Sequence, residues 1–223
     1  MKAYQFLLTL DGVEPVVWRR FVIPAETTFK RLHDTIQFAM GWQDAHLFEF
    51  AFERKKRRLE IVEDEEMYEQ HIFEQMEAFK NQHKKIENEF EKRYVERLMT
   101  REMRLATKTK LPKYVEEYME FVYLYDYGDN WLHRIKLEKI ILDYEVGYPV
   151  LLEGAGACPP EDVGGAGGYL EFLEAWNNPT HEQHQDMKRW GKGMYEPEFN
   201  MEQTNKWMRE ILKLKKIKKE NGS

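Results

Sequence analysis

Phe121-Val122-Tyr123-Leu124-Tyr125-Asp126-Tyr127-Gly128-Asp129-Asn130-Trp131-Leu132-His133-Arg134-Ile135-Lys136-Leu137 reads as two strands joined by an acidic turn. Side chains two apart in a strand share a face. Trp131, His133, Ile135 and Leu137 therefore point one way and Arg134, Lys136 and Glu138 the other, the alternation of a strand with one buried face. Tyr125 to Asn130 places two carboxylates around a glycine, which suits a tight turn, so the segment predicts a hairpin.

Working outward, the same period recurs. Tyr4, Phe6, Leu8 and Leu10 alternate and stop at Asp11-Gly12; Val16 to Ile23 forms a second strand ended by Pro24. Thr28 can cap a helix carrying Phe29, Leu32, Ile36, Ala39 and Met40 on one face, with Gly41 as its stop. Leu47 to Glu53 alternates Phe48, Phe50 and Phe52 against Glu49, Ala51 and Glu53, and the basic run Arg54 to Arg58 follows as a hairpin or loop. Tyr148 to Leu152 is a further short strand. Beyond it a Gly/Pro-rich loop runs from Gly154 to Gly168, then a helix from Tyr169 to Asn177. Another helix opens at a capping box of Thr180 and Gln183, and a last one runs from Asn200 to about Lys219.

Residues 64–108 break this pattern. Ile72, Met76, Phe79, His83, Ile86 and Phe90 step by four and three through a mostly charged or amide segment, a heptad-like stripe. As one helix it would extend about 60 Å at 1.5 Å per residue, too far for a small domain. A helical hairpin bending near Asn81, or a projecting arm that meets a protein partner or a second copy, is the expectation. Strands interrupted by helices predict an α+β domain over residues 1–223, with a largely antiparallel sheet and a helical insertion at 64–108.

Composition excludes several functions. The 223 residues are 42% hydrophobic and 14% aromatic, enough for a full core, while a net charge of -6 argues against a general nucleic-acid footprint. No run reaches the roughly 18 apolar residues of a membrane span, and the start shows no signal-peptide pattern, so a cytoplasmic location is expected. Cys158 is the only cysteine and can form no internal disulfide. Ser223 is the only serine, which removes any serine-nucleophile mechanism for this chain.

Two turns gather the chemistry. Asp126 and Asp129 precede Trp131 and His133, and Cys158-Pro159-Pro160-Glu161-Asp162 places two more carboxylates on a rigid bend. Asp126, Asp129, His133, Glu161 and Asp162 could hold a divalent metal or act as acid and base; the favoured reading is that the aspartates accept backbone N–H bonds in tight turns while Cys158 and His133 pack as core residues. Arg19 and Arg20 must face opposite sides, so one of them can reach these turns. A buried Arg–Asp lock is the favoured reading, and Arg20 completes the candidate pocket of Asp126, Asp129, Trp131, His133, Cys158, Glu161 and Asp162. The glycines from Gly154 to Gly168 match neither the dinucleotide fingerprint nor the P-loop. His181 and His184, three apart, read as a solvated helix face.

The order Val17-Trp18-Arg19-Arg20, Leu32-His33, Met40-Gly41-Trp42, His46-Leu47, Tyr125-Asp126-Tyr127-Gly128-Asp129 with Trp131 and His133, then Cys158-Pro159-Pro160-Glu161-Asp162, Gly164-Gly165 and Tyr169 resembles the plasmid pRiA4b ORF-3-like family. The resemblance implies an MM3350-like α+β fold, an uncharacterised role, and plasmid or mobile-element settings. A resolvase label sometimes attached to such proteins fails here for want of an internal serine. Segment 64–108 is longer than the connection usual in the family. The expectation is a non-enzymatic binding module without a cofactor. The alternative is a metal-assisted phosphoester hydrolase, and nucleic acid could be met through Arg54–Arg58 and the Lys-rich end.

Overall fold

The computed structural model describes residues 1–54, 57–81 and 88–213. Five of the strands belong to the antiparallel centre: β1 (Ala3–Leu10), β2 (Trp18–Pro24), β3 (Phe48–Arg54), β6 (Glu120–Tyr125) and β7 (Trp131–Ile141). With β4 (Arg57–Val62), β5 (Arg101–Leu105) and β8 (Val150–Ala155) they form one eight-stranded sheet in the order β5-β4-β3-β6-β7-β1-β2-β8. The predicted hairpin is β6–β7, with Tyr125 opposite Trp131 and Tyr123 opposite His133.

Register explains the core. Phe50 pairs with Tyr123, Tyr123 with His133, and His133 with Leu10, so one row of side chains crosses four strands on the same face. Helix α1 (Phe29–Met40) lies on that face; Phe29 packs on Phe50 and Phe52 at ring separations of 5.2 and 5.7 Å, and His33 stacks on Phe48 at 3.7 Å. Each such buried aromatic contributes roughly 1.5–3 kcal/mol. Thr28 caps α1 by accepting from Arg31 N, and Gly41, at φ 88°, ends it as the sequence predicts.

The excursion is a hairpin of α2 (Glu65–Lys80) and α3 (Glu89–Thr100), and α2 stops against Asn81. It is not helical throughout, because its last residues form β5, which pairs parallel with β4 (Ile61 with Arg104) and ends the sheet. Arg101 on β5 donates to the buried Glu60 on β4, and Gln75 Nε2 donates to the carbonyls of Leu98 and Arg101 at 2.8 Å. Those bonds root the hairpin in the sheet edge. Among the described residues of its two helices only His71 and Leu98 are buried; residues 82–87, with His83 and Ile86 of the expected stripe, lie outside the described residues.

After α4 (Pro112–Tyr118), the remaining helices are α5 (Gly165–Asn177), α6 (His184–Trp190) and α7 (Met201–Ile211). All three differ from expectation, α7 in its end, since it stops at Ile211 and not near Lys219. Helix α5 begins four residues before Tyr169, taking the glycines into its first turn: a Cβ at Gly168 would stand 2.0 Å from the Val163 carbonyl oxygen, so only glycine fits. Thr180 does not cap α6, which starts at His184 without a side-chain cap, since Thr180 instead bonds back to Asn178. Asn200 does cap α7, accepting from Gln203 N at 3.0 Å. Residues 214–223, most of the Lys-rich run, lie outside the described residues. No helix among those described is long and apolar enough to cross a membrane.

Candidate functional site

The two acidic turns meet. Asp126, at φ 58°, uses Oδ1 to accept from Gly128 N at 2.8 Å, closing its own turn. Asp129 Oδ2 accepts from Gly164 N at 3.1 Å, so the hairpin turn holds the entrance of α5. A Cβ on Gly165 would lie 2.5 Å from the Asp129 carbonyl oxygen, and its φ of 69° also demands glycine.

A third segment, the loop from Gly41 to Leu47, threads between them. Trp42 Nε1 donates to the Pro159 carbonyl at 2.9 Å, and Gln43 N donates to Glu161 Oε2 at 3.1 Å. Ala45 N donates to the Tyr125 hydroxyl at 3.0 Å, which in turn donates to Glu161 Oε1. Asp126 N donates to the Leu47 carbonyl at 3.0 Å. Burial and the Glu161 carboxylate push the Tyr125 phenol well above its ordinary range, so it stays protonated and donating.

At the junction sits His46. Its Nε2 lies 3.2 Å from Asp162 Oδ1 and 3.6 Å from Asp126 Oδ2. That nitrogen is shut off from solvent and makes no hydrogen bond. Asp162 is open to water, its side chain 74% exposed. One imidazole and two carboxylates, each with a ligand atom within 4.8 Å of the others, can hold a cation.

The predicted residues separate into groups. Asp126 and Asp162 face His46; Asp129 and Glu161 are occupied by the hydrogen bonds that join the turns. Trp131 and His133 lie beneath, at 1% and 0% exposure, and belong to the core. Cys158 is half-buried, and burial raises its thiol far above the ordinary range, which leaves no thiolate to pair with His133 as a nucleophile. Arg20 is a correction: strand alternation puts it on the opposite sheet face, paired with Glu138 at 2.7 Å and with Glu153. Arg19 is the arginine that faces inward, and its lock is made to backbone carbonyls, not to an aspartate. His181 and His184 bond separately, to Gln183 N and the Ala175 carbonyl. His46, Trp42 and Tyr125 are the site residues that pattern reading missed. Their signal was the run Met40-Gly41-Trp42 with His46-Leu47, which lies in a loop where periodicity says nothing.

His133 makes a pH prediction. Its Nδ1 donates to the Trp131 carbonyl at 3.0 Å, Nε2 has no partner, and burial lowers its pKa from 6.5 to about 4. The unfolded chain therefore binds a proton that the folded chain refuses; stability is full above 6.5 and falls as pH drops from 6.5 towards 4, by on the order of 3 kcal/mol. Urea denaturation at stepped pH should show that slope in the native chain and a flatter one in His133→Gln. Equal slopes would assign the loss to other groups.

Comparison with known proteins gives a consistent picture. A sequence profile described as plasmid pRiA4b ORF-3-like protein matches residues 2–203. The uncharacterized protein y4hQ of Sinorhizobium fredii (strain NBRC 101917 / NGR234) is 37% identical over 204 residues, covering 89% of this chain and 87% of that one. The crystal structure of MM3350, a protein of unknown function from Methanosarcina mazei Go1, superposes with a TM-score of 0.69 at 30% identity, covering 91% of this chain and 97% of that one.

Proposed function

The chain belongs to the plasmid pRiA4b ORF-3-like family, and from that premise we propose that it is a non-enzymatic binding module whose contact element is the α2–α3 hairpin and whose occupant is a second copy of the chain. The observation that carries this reading is the exposure of Phe73, Met76, Phe79, Phe90 and Tyr94 on two helices that bury one residue each. Apolar side chains grouped on a soluble surface mark contact sites. Charge favours one arrangement of two copies. Helix α2 carries Glu65, Glu66, Glu69, Glu74 and Glu77 against Lys80, whereas α3 balances Lys92, Arg93 and Arg97 with three acids, so α2 laid on α3 avoids the repulsion that α2 on α2 would meet. A two-fold contact lays α2 of each copy on α3 of the other, covering both apolar stripes at once.

Other surfaces support less. In the basic run, Arg54 pairs with Glu117 and Arg58 with Glu49, Glu53 and Glu60, so the charge of these two is already answered; Arg57 is exposed, and Lys55 and Lys56 lie outside the described residues. That favours the apolar hairpin over a phosphate backbone. The hydrolase alternative loses Asp129, Glu161 and His133 to hydrogen bonds and core packing. A plasmid or mobile-element setting is supported by the family's description alone.

Light scattering tests the reading. The native chain should run at twice its 27.0 kDa mass, and the double variant Phe73→Glu/Phe79→Glu at the single mass, with unchanged circular dichroism because both side chains are exposed. A native chain that stays at the single mass, or a variant that keeps the double mass, overturns it.

A further inference from the structure

We propose that His46, Asp126 and Asp162 form a binding site for one divalent first-row transition ion of the Mn²⁺ or Zn²⁺ type. The site is independent of the hairpin contact proposed above and uses none of its residues.

Three observations converge on it. First, the spacing fits a coordination polyhedron. Two ligand atoms each about 2.1 Å from a shared ion stand roughly 3.0–3.4 Å apart in octahedral or tetrahedral arrangement. His46 Nε2 stands 3.2 Å from Asp162 Oδ1 and 3.6 Å from Asp126 Oδ2, and the three ligand atoms all lie within 4.8 Å of one another, close to that spacing.

Second, the imidazole nitrogen faces only these carboxylates. The His46 side chain is 28% exposed, but Nε2 itself has no contact with solvent and makes no well-aligned hydrogen bond; its neighbours are Asp162 and Asp126. Leaving a buried polar atom without a partner costs about 1–3 kcal/mol. The carboxylates are similarly free: neither pairs with a lysine or arginine among the described residues. Asp126 spends Oδ1 on Gly128 N and leaves Oδ2 towards His46. Among the described residues only the imidazole of His46, when protonated, could offset these two carboxylates, and their combined charge matches a divalent ion.

Third, the other such cluster among the described residues shows what a satisfied arrangement looks like. His33, Asp34 and Asp44 also lie within ligand range of one another. There His33 uses both nitrogens, on the Tyr123 hydroxyl at 2.8 Å and Asp44 at 2.6 Å, and Lys30 pairs with both aspartates at 3.1 and 2.9 Å. A lysine already fills the cation's place in that cluster. No such residue serves His46.

The donor set selects the class of ion. Imidazole beside carboxylate suits Mn²⁺, Fe²⁺ or Zn²⁺, whereas Ca²⁺ and Mg²⁺ prefer oxygen alone. The exposure of Asp162 leaves the outer side of the site open to water, so three protein ligands would leave positions free for exchangeable ligands. The three residues come from the Gly41–Leu47 loop, the hairpin turn and the proline–glycine bend, so the ion would tie together segments far apart in the chain.

The test uses the untagged full chain, stripped with chelator and dialysed, titrated with MnCl₂ and separately with ZnCl₂ by calorimetry, with the Mn²⁺ resonance signal as a second readout. One ion per chain is expected. His46→Gln and Asp162→Asn should each weaken binding at least about tenfold, while His181→Gln, distant from the site, should bind as the native chain does. Asp162 lies on an exposed turn, so its variant keeps the test valid if His46→Gln fails to fold. Absence of binding for both ions, unchanged affinity in folded variants, or an equal loss in His181→Gln would overturn the proposal.

Discussion

Replacing Arg19 by Met should lower stability by about 3–5 kcal/mol. Arg19 is 1% exposed and has no carboxylate partner. Its guanidinium donates to four carbonyls: Ala39 at 2.8 Å, Trp18 at 2.9 Å, Ala155 at 2.8 Å and Gly156 at 3.0 Å. Phe199 stacks on it at 3.7 Å. Burial lowers its pKa to about 10, which still leaves it charged at neutral pH. One cation therefore joins the end of α1, strand β2 and the exit of β8. Methionine keeps the stem and removes every donor, stranding buried carbonyls that cost about 1–3 kcal/mol each when unmet. At this chain length the change should lower the melting temperature by roughly 10 °C. Arg20→Met is the internal comparison: its ion pairs are on the water-facing side, and the expected change is about 0–1 kcal/mol. Similar losses for both variants in thermal denaturation would refute the assignment of the lock to Arg19.

Trp42→Ala is expected to cost about 3–5 kcal/mol, and to act locally as well as globally. The indole stacks on Tyr125 at 4.9 Å, meets His133 edge-on at 5.4 Å, and donates to the Pro159 carbonyl. Its removal leaves a cavity beneath the Gly41–Leu47 loop and frees the proline–glycine bend from the sheet. Amide exchange should therefore quicken at Gln43 and Ala45, whose N–H groups are held by Glu161 and Tyr125. Trp42→Phe keeps most of the volume and should recover part of the loss. If the Ala and Phe variants are equally stable, packing is not what holds the loop.

The sheet was legible because its face alternates. Tyr4 to Leu10, Phe48 to Phe52 and Trp131 to Leu137 each place apolar residues two apart, and register aligns them into one core. The two acidic turns share a chemistry that the sequence displays, but nothing in their spacing dictates the bond between Asp129 and Gly164 N that joins them. What stayed hidden were contacts decided by side-chain direction in three dimensions. Arg19 and Arg20 look alike in sequence, and only the sheet's covered side distinguishes them. His133, beside an acidic turn, reads as a ligand until strand alternation sends it inward, while His46 sits in a loop with no period. The first residues of α5 read as a loop because glycine is a poor helix former, yet close approach to Val163 makes glycine obligatory there.

Strand β5 carries a consequence for any shortened form of this chain. Excising the whole of residues 64–108 removes two helices and also the strand that closes the sheet beside β4. The backbone amides of Arg58 to Val62, along with the apolar Leu59, Ile61 and Val62, would then be left at a bare margin, ready to pair with the margin of another molecule. A trimmed chain would be prone to sticky, edge-to-edge aggregation, so the excursion serves as a cover for the sheet whatever else it touches.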